Sequence, residues 1–168
     1  MKKVLVLATG GTIEKSYSEE DGSIDNRQSI FNEKLLKKLR LPQTEISAQR
    51  VMNKDSLHMT EADREIIWQA IDAAIKTATP VLVLHGTDTL DKSLQYCFRK
   101  NPQPSVPIIW TGSMKPAGFD DSDALQNFTE GLFAAQIALP GYYVAFHGTL
   151  LRGPYVRKNR EQCTFEYS

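Results

Sequence analysis

Cysteine is scarce in this sequence, with Cys97 and Cys163 alone among 168 residues. Two isolated thiols without metal-type spacing make neither a disulfide framework nor a cysteine metal site, and a reduced, cytoplasmic setting is the simplest reading. Long apolar runs are missing too, since no segment reaches the roughly 20 residues of a membrane span. Met1-Lys2-Lys3 precedes an apolar run shorter than the roughly 7–15 residues of a secretory core, and no small-residue cleavage site follows, so no signal peptide is read. A charge excess is also lacking: 20 Lys plus Arg balance 20 Asp plus Glu, which offers no net field to nucleic acid or an anionic membrane. His58, His85 and His147 are scattered without metal-ligand spacing, so no metal is expected. The phosphate-binding patterns G-x-x-x-x-G-K-[ST] and G-x-G-x-x-G are both absent, leaving nucleotide binding a weak alternative.

What is present is an ordinary globular composition, 41 % hydrophobic and 24 % charged, in a length that fits a single domain over residues 1–168. The organising stretch is KVLVLATGGTI, Lys3 to Ile13. Its short apolar run ends at Thr9-Gly10-Gly11-Thr12, which reads as a buried parallel strand running into a tight turn. Residues 14–28 are polar and read as a long loop, either a lid or a surface excursion. Ser29 can cap a short helix with Phe31, Leu35, Leu36 and Leu39 on one face, ended by Pro42. A second strand is expected over 44–52, followed by the polar cluster Asn53-Lys54-Asp55-Ser56.

Thr60 and Asp63 have the spacing of a capping box, and Ile66, Ile67, Ala70, Ile71, Ala74 and Ile75 continue at helical spacing. A third strand, Val81 to Leu84, runs into His85-Gly86-Thr87-Asp88-Thr89, and a helix over 88–99 follows with Leu90, Leu94, Cys97 and Phe98 inward. Strand 108–110 leads to Thr111-Gly112-Ser113, and helix 123–138 carries Leu125, Phe128, Leu132, Phe133 and Ala135 on its core face. A last strand, Tyr142 to Phe146, ends at His147-Gly148-Thr149. Strands alternating with helices predict a three-layer α/β fold with a mainly parallel sheet of about five strands and right-handed crossovers.

The recurrence that carries chemistry is Gly beside Thr or Ser after a strand, at 9–12, 86–87, 111–113 and 148–149. Open α/β sheets bind small molecules at that edge, where these turns gather hydroxyls and backbone N–H groups. A threonine needs a neighbouring base to act as a nucleophile. Asp88 adjoins Thr87, and Lys158 arrives from the segment after the last strand; a lysine held by both could accept the threonine proton. Backbone N–H groups at the start of the 88–99 helix could stabilise an oxyanion. The plainer readings make Thr87 a helix cap and Asp88 a favourable first-turn acid. Arg152, Arg157, Lys158 and Arg160 read first as a solvated basic face.

Ala8-Thr9-Gly10-Gly11-Thr12-Ile13 and His85-Gly86-Thr87-Asp88-Thr89-Leu90 resemble, in order, the two signatures of the bacterial-type L-asparaginases. Asp55-Ser56 with Met59-Thr60, and Thr111 to Pro116 with the turn through Asp123, are similar to two further family stretches. The resemblance implies hydrolysis of L-asparagine to aspartate and ammonia without a cofactor, with L-glutamine a second substrate. Carried over, Thr12 matches the nucleophile, and Thr87, Asp88 and Lys158 match the second threonine and its partners. Ser56, Asp55 and Asp88 match the groups around the substrate's α-carboxylate and α-amine, with Gly11 and Gly86 beside them. The Thr87 N–H belongs by the same match to the oxyanion hole. The lid tyrosine of the family falls on Tyr17, with Ser23 as the competing position and a plain surface aromatic as the other reading of Tyr17. Family members are usually about twice this length, with a smaller C-terminal domain, so a short form completing its sites as a homo-oligomer is expected. Two alternatives stay open: a non-catalytic amino-acid-binding or partner-docking module, and a subunit of an amidotransferase.

Overall fold

The period-two pattern of the apolar strands is what divides this protein into layers. The computed structural model describes residues 1–17, 24–26 and 35–168, and no side chain between 16 and 34. Strand β1 (Lys2–Ala8) lies second from one edge of the sheet, between the edge strand β4 (Thr44–Arg50) and β5 (Val81–Leu84), with β6 (Pro107–Thr111) and β7 (Gly141–Phe146) continuing in parallel. Strand β8 (Thr149–Arg152) adds an antiparallel edge, giving the order β4-β1-β5-β6-β7-β8. Leu5, Leu7, Val81, Val83, Ile108, Trp110, Tyr142, Val144 and Phe146 point to one face; Val4, Val6, Leu82, Leu84, Ile109, Tyr143 and Ala145 point to the other.

Helices α1 (Glu61–Lys76) and α2 (Leu90–Lys100) cover the first face through Ile67, Ile71, Ala74, Leu90, Leu94 and Cys97. Helix α3 (Ala124–Ile137) covers the second through Phe128, Leu132 and Ala135. The result is the expected three-layer α/β arrangement, with six strands in the sheet. The capping box at the head of α1 is formed as its spacing predicts, Thr60 and Asp63 each accepting the other's backbone N–H.

Several expectations change. The units β4-α1-β5 and β5-α2-β6 advance across the sheet with their helices on the first face. The unit β6-α3-β7 advances the same way with its helix on the second. One parallel crossover is therefore of opposite hand to its neighbours, against a rule obeyed in roughly 98 % of cases. Residues Lys15–Tyr17 (β2) and Ile24–Asn26 (β3) pair as an antiparallel ribbon where a loop was expected. The helix expected from Ser29 is described only as a 3-10 turn at Leu36–Lys38, and Ser29 and Phe31 lie outside the described residues. Phe133 and Ile66 face outward, because each sits next to, not on, the buried stripe of its helix. A hairpin of β9 (Val156–Asn159) and β10 (Thr164–Tyr167) follows β8 and packs Val156 and Phe165 onto the first face. No described helix is long and apolar enough to cross a membrane.

Candidate active site

Numbered among themselves, the parallel strands follow the order 2-1-3-4-5, so the chain reverses direction across the sheet between β1 and β5. Ligand crevices of open α/β sheets lie at this reversal, outside the carboxyl ends of the strands. The turns at Gly10-Gly11-Thr12 and His85-Gly86-Thr87 leave the sheet there. They are in direct contact: a Cβ on Gly11, whose φ is +88°, would lie 2.5 Å from Gly86 Cα, and a Cβ on Gly86 would lie 2.5 Å from Ser56 Oγ. Glycine at both places brings the three segments together. Ser56 is buried at the start of a 3-10 turn capped by Asp55, which accepts the Leu57 N–H at 3.0 Å. Asp55 also faces Lys15 at 3.7 Å.

The hairpin β9-β10 supplies the site's cation. Lys158 Nζ stands 2.7 Å from Thr87 Oγ1 and 3.0 Å from Asp88 Oδ1, with its side chain only 15 % exposed. Of the four basic residues near the end of the chain, this one leaves the solvated face that was expected for it. Arg160 also reaches the same Asp88 oxygen at 3.0 Å while remaining largely in water. Burial pushes the Asp88 carboxyl up, but the Lys158 hydrogen bond and charge and the Arg160 guanidinium together hold it below the usual carboxylate range.

The shelf of hydroxyls is thinner than the sequence suggests. Thr9 donates to the Leu84 carbonyl at 2.8 Å, Thr89 to Ser56 at 2.8 Å, Thr111 to Ala145 at 2.7 Å and Thr149 to Phe146 at 2.7 Å. These hydroxyls, and Ser113, which donates to the Lys115 carbonyl, are taken up by the backbone, which narrows the chemistry to Thr12, Ser56 and Thr87. Thr12 opens a 3-10 turn, Thr12–Glu14, and is half-buried. The cap position of α2 is Thr89 and not Thr87, so the plain helix-cap reading of Thr87 does not hold. Tyr17 closes β2, and its side chain, like all of Ser23, is outside the described residues.

His85 is fully buried and bonds the Gly86 carbonyl through Nδ1 at 2.8 Å; burial lowers its pKa to about 4, so the ring is neutral at physiological pH. Asp123 accepts the Met114 and Lys115 N–H groups, the Asn127 amide and His147 Nε2, fixing the 112–116 turn. Among the described residues no group of three or more His, Cys, Asp or Glu could hold a metal ion. Two site neighbours escaped the sequence reading: Arg160, which was counted only as surface charge, and Glu14, which was placed in a polar loop. Neither has a spacing signal that separates it from ordinary surface charge.

A family model described as the N-terminal region of asparaginase matches residues 3–165. The chain belongs to the asparaginase family. The L-asparaginase of Thermococcus kodakarensis is 30 % identical over 162 residues, covering 93 % of this chain and 47 % of that protein. A solved structure of the thermostable L-asparaginase from Thermococcus kodakarensis superposes with a TM-score of 0.88 at 29 % identity, over 98 % of this chain and 51 % of that one. A glutamyl-tRNA(Gln) amidotransferase polypeptide of Haloquadratum walsbyi is 29 % identical over 170 residues, covering 93 % of this chain and 37 % of that protein. The chain thus spans about half or less of the length of these relatives.

Proposed function

We propose that this chain is an amidohydrolase that releases ammonia from the side-chain amide of L-asparagine, and also of L-glutamine, with Thr12 as nucleophile. The observation that carries this reading is the Lys158 amine, held 2.7 Å from Thr87 Oγ1 and 3.0 Å from Asp88 at the strand-order reversal. Attack of the Thr12 hydroxyl on the amide carbon forms an acyl ester. The hydroxyl proton passes through the Thr87, Lys158 and Asp88 group to the leaving nitrogen, and ammonia departs. Water then hydrolyses the ester, giving the free carboxylate and regenerating the hydroxyl.

The N–H of Thr87 serves the developing oxyanion, while Ser56, Asp55 and Asp88 hold the substrate's α-groups beside Gly11 and Gly86. Tyr17 is assigned to the lid. No cofactor enters these steps. Action by residues 1–168 as one catalytic domain, assembly into a homo-oligomer and a cytoplasmic setting belong to the same proposal. The amidotransferase relatives give a reason to place glutamine beside asparagine.

The test is ammonia release by the purified protein with each amide, alongside Thr12→Ala and Thr87→Ala, with light scattering for the assembly. Release that both substitutions abolish is the expected outcome. A folded protein that binds aspartate and releases no ammonia would instead be a binding module.

A further inference from the structure

Glu14 is a carboxylate with no part in the steps above, yet it is 2 % exposed and sits directly beneath the first turn. An aliphatic side chain would fill the same space without the cost of burying an ionisable group. Burial indeed pushes its pKa up, against the pull of the Gly10 N–H and Arg50. Its contacts show what the group does there. Gly10 N donates to Glu14 Oε2 at 2.6 Å, while Glu14's own N–H donates to the Gly11 carbonyl at 3.1 Å. One residue therefore ties both glycines that precede Thr12, Gly10 through its N–H and Gly11 through its carbonyl. The other carboxylate oxygen, Oε1, receives Arg50 from the end of β4 at 3.3 Å. Ile13, fully buried in the second-face core, fixes the backbone between them.

We propose that Glu14 is a positioning residue for Thr12: its carboxylate sets the turn through the Gly10 N–H, and Arg50 sets the carboxylate. The proposal rests on Thr12 being the nucleophile. A nucleophile must lie within a fraction of an ångström of its attack geometry, and a displacement of about 1 Å costs about a hundredfold in rate. Thr12 is on a turn and not within a strand or long helix, so its placement depends on such ties. A glutamine at this position keeps an oxygen that can accept the Gly10 N–H but lacks the charge that engages Arg50.

The experiment measures kcat and KM for ammonia release in the wild type, Glu14→Ala, Glu14→Gln and Arg50→Met, with thermal midpoints recorded for each. Loss of a charged hydrogen bond corresponds to about a ten- to hundredfold effect. Glu14→Ala is expected to lower kcat in that range with KM within about twofold, since Ser56 and Asp88 are untouched. Glu14→Gln is expected to recover part of the rate, and Arg50→Met to lose less than Glu14→Ala. Should Glu14→Ala fail to fold, Glu14→Gln and Arg50→Met carry the comparison. Equal kcat in wild type and variants overturns the proposal, as does a loss confined to KM or to the thermal midpoint. A wild type that releases no ammonia from either amide overturns the nucleophile reading itself, an outcome distinct from variants that turn over as the wild type does.

Discussion

Substituting Lys158 by methionine keeps an unbranched side chain as far as the ε position and removes the amine beyond it. In the folded protein that amine makes a hydrogen bond to Thr87 and an ion pair with Asp88, at 2.7 and 3.0 Å. Asp88 retains Arg160 on the same oxygen and is partly open to water, so the stability loss falls low in the roughly 1.5–3 kcal/mol range of charged hydrogen bonds. A value of about 2 kcal/mol shifts the melting midpoint by about 4–8 °C in a chain of this size. The chemical effect is larger, because a positioned group that relays a proton contributes about 10²–10⁴-fold to rate. Calorimetry and ammonia release on the same preparation separate the two. Well below the midpoint, a loss of about 2 kcal/mol hardly changes the folded fraction, so a loss near a thousandfold must be chemical. A Lys158→Met protein that melts earlier but turns over within threefold of the wild type would refute the reasoning and leave Lys158 a structural tie.

Gly11→Ala places a Cβ against Gly86 at a left-handed φ, so it is expected to cost about 1–3 kcal/mol in denaturant unfolding; no change would mean that the two turns are not in contact. Asp63 is held at a pKa of about 2 by Lys54 and by the Thr60 N–H, below its ordinary 3.8. The unfolded chain therefore takes up this proton first on acidification, and the contribution present above pH 4 is lost between about 4 and 2. Asp63→Asn is expected to flatten that part of the stability–pH curve; an unaltered curve counts against the pairing.

Most strands and helices were readable because each is a short apolar run or a 3.6-period stripe ended by Gly, Pro or a cap. Two opposing cores built from alternate residues of one strand, such as Val4 and Val6 against Leu5 and Leu7, turn that pattern directly into three layers. The β9-β10 hairpin was invisible for the opposite reason. Among its strand residues only Val156 and Phe165 are buried, and its remaining positions look like solvated charge. Thr87, Asp88 and Lys158 could be named from the sequence, and the structure brings them together. Glu14 and Arg160 could not, since a charge reveals its role only through the backbone or carboxylate it meets. Handedness was also out of reach: apolar periodicity says that a helix has a buried face, never which side of the sheet receives it.

The reversed crossover has a chemical consequence. Had β6-α3-β7 turned as its neighbours do, α3 would lie over β6 and β7 on the first face, where Phe165 now rests against Phe146 with ring centroids 5.0 Å apart. By swinging to the far side, α3 clears a berth for the hairpin that carries Lys158. A lysine 71 positions from Thr87 along the chain can then dock beside it. The rarest turn in the topology is thus a precondition for the shortest contact of Lys158 in the candidate site.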